Sequence, residues 1–387
     1  MKLAYVSPRY PKEGAVGGCE TLLRNVAEHA AHRGHEVHFL TTCATNHFSW
    51  DNAVPAGVEK IGPLQVHFFP VNENRDIETF LEIQGRIDAR DNLSLKEEMA
   101  WITNSVNSDP LIQHLRDTHY DAIMAGPYLF GITHTVATTF PERTHLVPCL
   151  HDESYAYLKI VHNMFHQVKG LLFNSEPERQ LAVRLYEMDP GIGHIVGMGM
   201  TPFESDGNRF RRKHNLDEPY LIYCGRREAG KGTPLMLDYM HLYRERTERD
   251  VKLVLTGSGD VHPHPDLAPH VLDLGYASEQ DKVDAMAGAL AFFHPSLNES
   301  FGIVALEAWL AGTPVIVHNK CPVLQHLAEA GNGGLWFDHY PHFEGILNAL
   351  LDEPGLADSL GNAGQRYARE TYDWHAVGDR LFAALEA

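Results

Sequence analysis

His294-Pro295-Ser296-Leu297-Asn298-Glu299-Ser300-Phe301-Gly302-Ile303-Val304-Ala305-Leu306-Glu307-Ala308, with Gly312-Thr313-Pro314 soon after, is the stretch that decides the architecture. An apolar strand, Ala291–Pro295, stops at the proline. A polar loop follows, a helix is predicted from about Ser300–Gly302, and a new strand opens at Pro314–His318. Strand, loop, helix and strand in that order make one unit of a parallel sheet with a crossover helix.

Working outward, the same alternation fills the second half. Strands are predicted at Tyr220–Gly225, Val251–Gly257, Val271–Gly275 and Gly334–Phe337, with helices at Ser278–Gly288 and about 341–352, 355–370 and 373–386. The first half repeats the scheme. Leu3–Ser7 runs into a glycine-rich turn, Gly14 to Gly18, and a helix over Cys19–His32 whose Leu22, Leu23, Val26 and Ala30 recur at helical spacing. Glu36–Thr42 and Val66–Val71 are further strands, and residues 76–119 read as polar helix broken at Pro110. Strands follow near Asp121–Ala125, His145–His151, Gly170–Asn174 and His194–Gly199. The expectation is an α/β protein of two Rossmann-like domains, 1–200 and 219–371, joined by a linker at 201–218. A chain of 387 residues suits that count.

Composition narrows the function. Lys and Arg number 32 against 51 Asp and Glu, a formal charge of −19 that repels nucleic-acid backbones and anionic bilayers. Ala122 to Pro141 is uncharged, but Gly126-Pro127, Gly131, His134 and its threonines suit a strand, turn and helix rather than a membrane span. The five cysteines are scattered, without a C-x-x-C pair, and Met1 leads straight into a strand. Together these predict reduced thiols and a cytoplasmic protein with no integral membrane segment.

Three segments carry candidate chemistry. In the opening stretch, free N–H groups where the helix starts form an anion site, and Gly302 offers no side chain to obstruct a phosphate. Glu299 lies just before that helix and Glu307 about two turns inside it. One carboxylate can reach a sugar beside the phosphates and the other the ribose behind them, since carboxylates only accept hydrogen bonds. Either Glu alone reads as surface charge; the whole string does not. In Tyr223-Cys224-Gly225-Arg226-Arg227-Glu228-Ala229-Gly230-Lys231-Gly232, Arg226 and Lys231 flank a turn and can converge on one pyrophosphate. Neither a Walker loop nor G-x-G-x-x-G occurs, which argues against a nicotinamide oxidoreductase. The third segment is the first turn, where Gly17-Gly18 permits close ligand approach or is simply a flexible turn. His262 and His264 read as a surface loop, and no metal clamp is evident.

These motifs resemble a retaining glycosyltransferase of family 4. The resemblance rests on the Gly-Gly turn, the G-R-x₄-K-G segment, the P-S-x₂-E-x-F-G-x₄-E-A string and the terminal Tyr372-Asp373-Trp374. It implies the GT-B architecture: two Rossmann-like domains facing across a cleft, with a C-terminal helix, 372–387, crossing back to the first. It implies a nucleotide-sugar donor, a glycan, lipid-linked or small-molecule acceptor, retention of configuration and no metal or other cofactor. Arg226 and Lys231 would neutralise the diphosphate, while backbone groups at Gly17, Gly18, Ser300, Phe301 and Gly302 bind phosphate or sugar. Glu299 would hold donor-sugar hydroxyls, Glu307 the ribose, and His151 would lie near the anomeric centre, with Asp152 and Glu153 toward the acceptor. In a front-face substitution the leaving phosphate helps deprotonate the acceptor, so no separate base is required. Gly197-Met198-Gly199-Met200-Thr201 departs from the family's usual Pro-Asn-Gly-Val-Asp. A sugar phosphorylase and a non-catalytic nucleotide-sugar sensor are the alternatives on this fold.

Overall fold

Runs of β-branched and aromatic residues set most of the strands, and the near-complete burial of the central ones marks them as parallel strands covered on both faces. In the computed structural model, which describes residues 1–11 and 17–386, they form two sheets in two units. The first unit comprises Met1–Gly199 with Trp374–Ala387; the second is Met200–Asp373.

The first unit contains β1 (Lys2–Val6), α1 (Gly18–His32), β2 (Glu36–Thr42), β3 (Gly57–Ile61) and β4 (Leu64–Phe69). Next come α2 (Ile77–Asp88), α3 (Leu95–Asn104), α4 (Asp109–Asp117), β5 (Ala122–Ala125) and α5 (Gly131–Thr139). It ends with β6 (Thr144–Leu146), α6 (Lys159–Gln167), β7 (Gly170–Phe173), α7 (Glu176–Tyr186) and β8 (His194–Ile195). The sheet order is β3-β4-β2-β1-β5-β6-β7-β8.

Several expectations change here. β3, which sequence patterning misses because four of its five residues are exposed, pairs antiparallel with β4 through the tight turn at Gly62. The polar stretch 76–119 is three helices, and Pro110 lies in the first turn of α4, where its missing N–H costs nothing, rather than breaking a helix. β6 ends at Leu146, so His151 sits in the following loop and does not close a strand. β8 likewise stops at Ile195, short of Gly199.

The second unit begins with α8 (Gly207–His214), inside the stretch expected as a linker. Asp206 caps it by accepting from Asn208 and Arg209 N–H, and Arg209 clamps the buried Asp284. Then follow β9 (Tyr220–Cys224), α9 (Thr233–Thr247), β10 (Lys252–Thr256), β11 (Val271–Asp273), α10 (Glu279–Ala287) and β12 (Ala291–His294). α11 (Ile303–Leu310), β13 (Val315–His318), α12 (Pro322–Gly331), β14 (Gly334–Phe337), α13 (Tyr340–Asp352) and α14 (Leu356–Thr371) complete it. Its sheet is wholly parallel, in the order β11-β10-β9-β12-β13-β14.

Helix α15 (Trp374–Glu386) belongs to the first unit. Trp374 stacks on His29 of α1 at 4.9 Å, and Arg380 donates to the Val196 carbonyl at 3.1 Å. All five cysteines are free thiols. Among the described residues no helix is long and apolar enough to cross a membrane.

Candidate active site

In the second sheet the strand order reverses between β9 and β12, which pair directly through Leu221–Ala291 and Ile222–Phe292. Such a switch point opens a crevice at the carboxyl ends of the strands. The two charged loops emerge from these two strands. Close packing joins them: a Cβ placed on Gly232 would lie 2.4 Å from the Pro295 carbonyl oxygen, and Gly232 has φ +73°. Only glycine fits both constraints, so the loop after β9 rests directly on the end of β12.

That approach brings Lys231 and Glu299 together. Lys231 Nζ donates to Glu299 Oε1 at 2.6 Å, and His294 Nε2 lies 3.1 Å from the same oxygen. Burial pushes the Glu299 carboxyl upward, but the hydrogen bonds and charges of His294 and Lys231 outweigh it and hold it well below the usual carboxylate range. Glu299 is therefore an anion with one oxygen, Oε1, already engaged.

The two adjacent arginines divide their work. Arg227 is locked, its guanidinium on Asp273 at 2.5 and 2.9 Å and on the Gly259 carbonyl at 2.9 Å. Arg226 remains more than half exposed, with Glu228 at 3.3 Å as its ion-pair partner among the described residues. A solvent-facing guanidinium at a strand end is the one able to meet an anion.

α11 starts at Ile303, with Gly302 at φ +88° as its N-cap and no side chain capping the free N–H groups. Glu307 is only four residues in, little more than one turn rather than two. Burial raises its carboxyl above the ordinary range, opposed by Lys282 of α10, 3.2 Å away. The Phe301 ring is buried edge-on against Tyr372. Sequence reasoning missed Lys282 because its partner Glu307 lies 25 residues away, and His294, only five residues before Glu299, because patterning does not show that a strand-end ring meets the following loop.

In the first unit the order reverses between β1 and β5. Gly17 is the N-cap of α1 and Gly18 its first residue; Gly14, in the predicted turn, lies outside the described residues. A buried pair, Arg9 Nη2 to Glu20 Oε1 at 2.6 Å, fastens the end of the β1 loop to the first turn of α1. His151 is partly exposed, with Nδ1 3.9 Å from Glu153, which accepts the Tyr128 hydroxyl at 2.8 Å. Asp152, expected toward an acceptor, instead accepts from Arg184 and the Tyr157 hydroxyl, both at 2.7 Å. Beneath this loop the buried Glu178 accepts the Leu150 and Asn174 N–H groups at 2.7 and 2.5 Å. Beside the ends of β2 and β4 a cavity of about 320 Å³ is lined by Trp50, Asp51, Asn52, Glu73 and Arg75.

Residues 204–367, most of the second unit, match the family model described as glycosyl transferases group 1. Over nearly its whole length the chain is 24% identical to an uncharacterized glycosyltransferase of Methanocaldococcus jannaschii, covering 97% of this chain and 96% of that protein. Sucrose-phosphate synthase from Thermosynechococcus elongatus superposes with a TM-score of 0.73 at 17% identity, covering 99% of this chain and 97% of the other. Anabaena HepE in complex with UDP-glucose superposes with a TM-score of 0.66 at 17% identity, covering 100% and 99%. The group 1 match thus lies within the second unit, and the two Rossmann-like units have the GT-B fold.

Proposed function

We propose that this chain transfers a hexose from a nucleoside diphosphate sugar to an acceptor hydroxyl, with retention of configuration and without a metal ion. The observation that carries the reading is the Lys231–Glu299–His294 cluster at the β9/β12 switch point, set beside the uncapped N-terminus of α11. Arg226 and Lys231 neutralise the diphosphate as charge grows on it, the term that dominates such a departure. The N–H groups at Ser300, Phe301 and Gly302 add hydrogen bonds. Glu299 holds sugar hydroxyls through its remaining oxygen, and Glu307 holds the ribose. In the first unit, His151 serves the anomeric centre, and backbone at Gly17 and Gly18 serves phosphate or sugar. The acceptor occupies the first unit, where the Trp50–Arg75 cavity pairs two carboxylates with a guanidinium, a polar lining suited to a hydroxyl-rich molecule. The working location is the cytoplasm.

The test is a thermal-shift screen of UDP, GDP and ADP with their common sugar nucleotides, then NMR of the product anomer in EDTA. A ligand bound by the folded state raises the midpoint by mass action. Failure of every nucleotide to shift the midpoint, or an inverted product, overturns the reading.

A further inference from the structure

The segment Asp338-His339-Tyr340-Pro341-His342 joins the carboxyl end of β14 to the first turn of α13. His339 is the N-cap of α13, yet its side chain caps no helix N–H, and Pro341 stiffens the turn. Its ring instead turns to the Asp338 carboxylate, with Nδ1 in contact with Oδ1. One helical step on, His342 places its own Nδ1 2.7 Å from the same oxygen. The two imidazoles meet edge to face with centroids 4.1 Å apart. All three residues are exposed, and their donor atoms lie within 4.8 Å of one another.

We propose that Asp338, His339 and His342 form a binding site for a borderline divalent transition cation such as Zn²⁺. Ligand bonds of about 2.0–2.2 Å in a tetrahedral site set donor atoms roughly 3.3 Å apart. Rotation of three exposed side chains reaches that spacing from the arrangement present. Two imidazole nitrogens and one carboxylate oxygen suit zinc, cobalt, nickel or copper, and disfavour calcium and magnesium, which take oxygen ligands. Solvent supplies the fourth position. Imidazole and carboxylate bind a cation only in their deprotonated forms, so binding weakens in acid. Among the described residues this is the one cluster of three such groups; the stacked pair His241 and His264, ring centroids 3.9 Å apart, has Glu245 and Asp266 nearby but does not gather three donors within that spacing.

β14 is the edge strand, and β13 separates it from β12, which carries the Glu299 loop. The site therefore acts as a clamp between β14 and α13 and takes no part in sugar transfer. The proposal stands or falls independently of the proposed activity.

Calorimetric titration of the chelator-treated, full-length chain with Zn²⁺ at pH 7.5 tests it, with Co²⁺ absorption as a second readout. The expected result is one saturable site per chain. His342→Ala and Asp338→Asn should each lower affinity at least tenfold and remove the Co²⁺ visible band. A His262→Ala/His264→Ala control should leave both signals unchanged. Equal binding by His342→Ala and the natural chain, or no saturable one-to-one step, overturns the site.

Discussion

Lys231 and Glu299 illustrate how much a single contact adds to a motif. Spacing alone assigns one to phosphate and the other to sugar; the 2.6 Å bond between them makes each the other's positioning partner. Lys231→Ala should therefore lower kcat more than it raises KM, by about 10²–10³-fold if leaving-group charge is its main target. Equal kcat with a raised KM in steady-state kinetics would show uniform binding instead. Glu307→Ala should act differently. It leaves Lys282 with only Glu279, 2.8 Å away, and should weaken binding of the free nucleoside diphosphate in calorimetry by about tenfold, the loss of a charge-assisted hydrogen bond. Diphosphate affinity equal to that of the natural chain would refute the ribose assignment. The G-R-x₄-K-G pattern points to Arg226 rather than its neighbour Arg227, although both follow the same strand. Burial on Asp273 removes Arg227 from contention.

At the scale of elements, loop placement depends on glycines with positive φ. Gly232→Ala forces a Cβ to within 2.4 Å of a backbone oxygen at φ +73°, so the loop after β9 must lift off β12. The expected cost is about 1–3 kcal/mol of stability, with turnover falling further because Lys231 moves with the loop. Denaturant melts and kinetics on the same variant check both; native turnover would show that the contact is dispensable. α3 depends on a different local device. Ser94 and Glu97 form a reciprocal capping box, the Ser94 side chain accepting from Glu97 N–H at 3.3 Å and Glu97 accepting from Ser94 N–H at 2.7 Å. Ser94→Ala should cost about 1 kcal/mol and leave kcat unchanged, since no proposed substrate contact lies on α3. This box, S-x-x-E, is legible in the sequence. β3 is not, because its residues are exposed and only pairing with β4 holds it.

Across the whole molecule, acid should act on the first unit through its buried histidines. His38, His67 and His114 pack ring to ring, with the Tyr120 hydroxyl 2.8 Å from His38 and 2.9 Å from His114. Burial, with neighbouring rings and Lys2, lowers all three, His67 to about 4. Burial also takes His134 and His145 to about 4. In the unfolded chain each titrates near 6.5, so between roughly 6.5 and 4 the unfolded state holds more protons. Stability from these groups is present above pH ~6.5 and is lost as the pH falls toward 4. Glu178 runs the other way: burial pushes it up to about 8, so its contribution declines as pH rises from ~4.5 toward 8. The first unit's melting midpoint should fall steeply from pH 6.5 to 4, and His67→Phe should flatten that slope. A slope identical in His67→Phe would exclude the cluster as its source.

Most of the alternation of strands and helices, the α/β class and the identity of the charged loops were readable from the sequence alone; β3, α8 and the three-helix division of 76–119 were not. The readable properties are local: period-two and period-3.6 patterning, a proline ending a strand, a glycine opening a helix. What only the tertiary structure decided is non-local. Sheet order placed the loops after β9 and β12 side by side, though Lys231 and Glu299 are 68 residues apart. It gave Glu307 its partner on α10, set Glu178 beneath the His151 loop, and placed a packed helix, Gly207–His214, within the stretch 201–218. Patterning specifies which face of an element is buried, but not which other element covers it; that choice is made by the sheet as a whole, where burial and pairing are satisfied together.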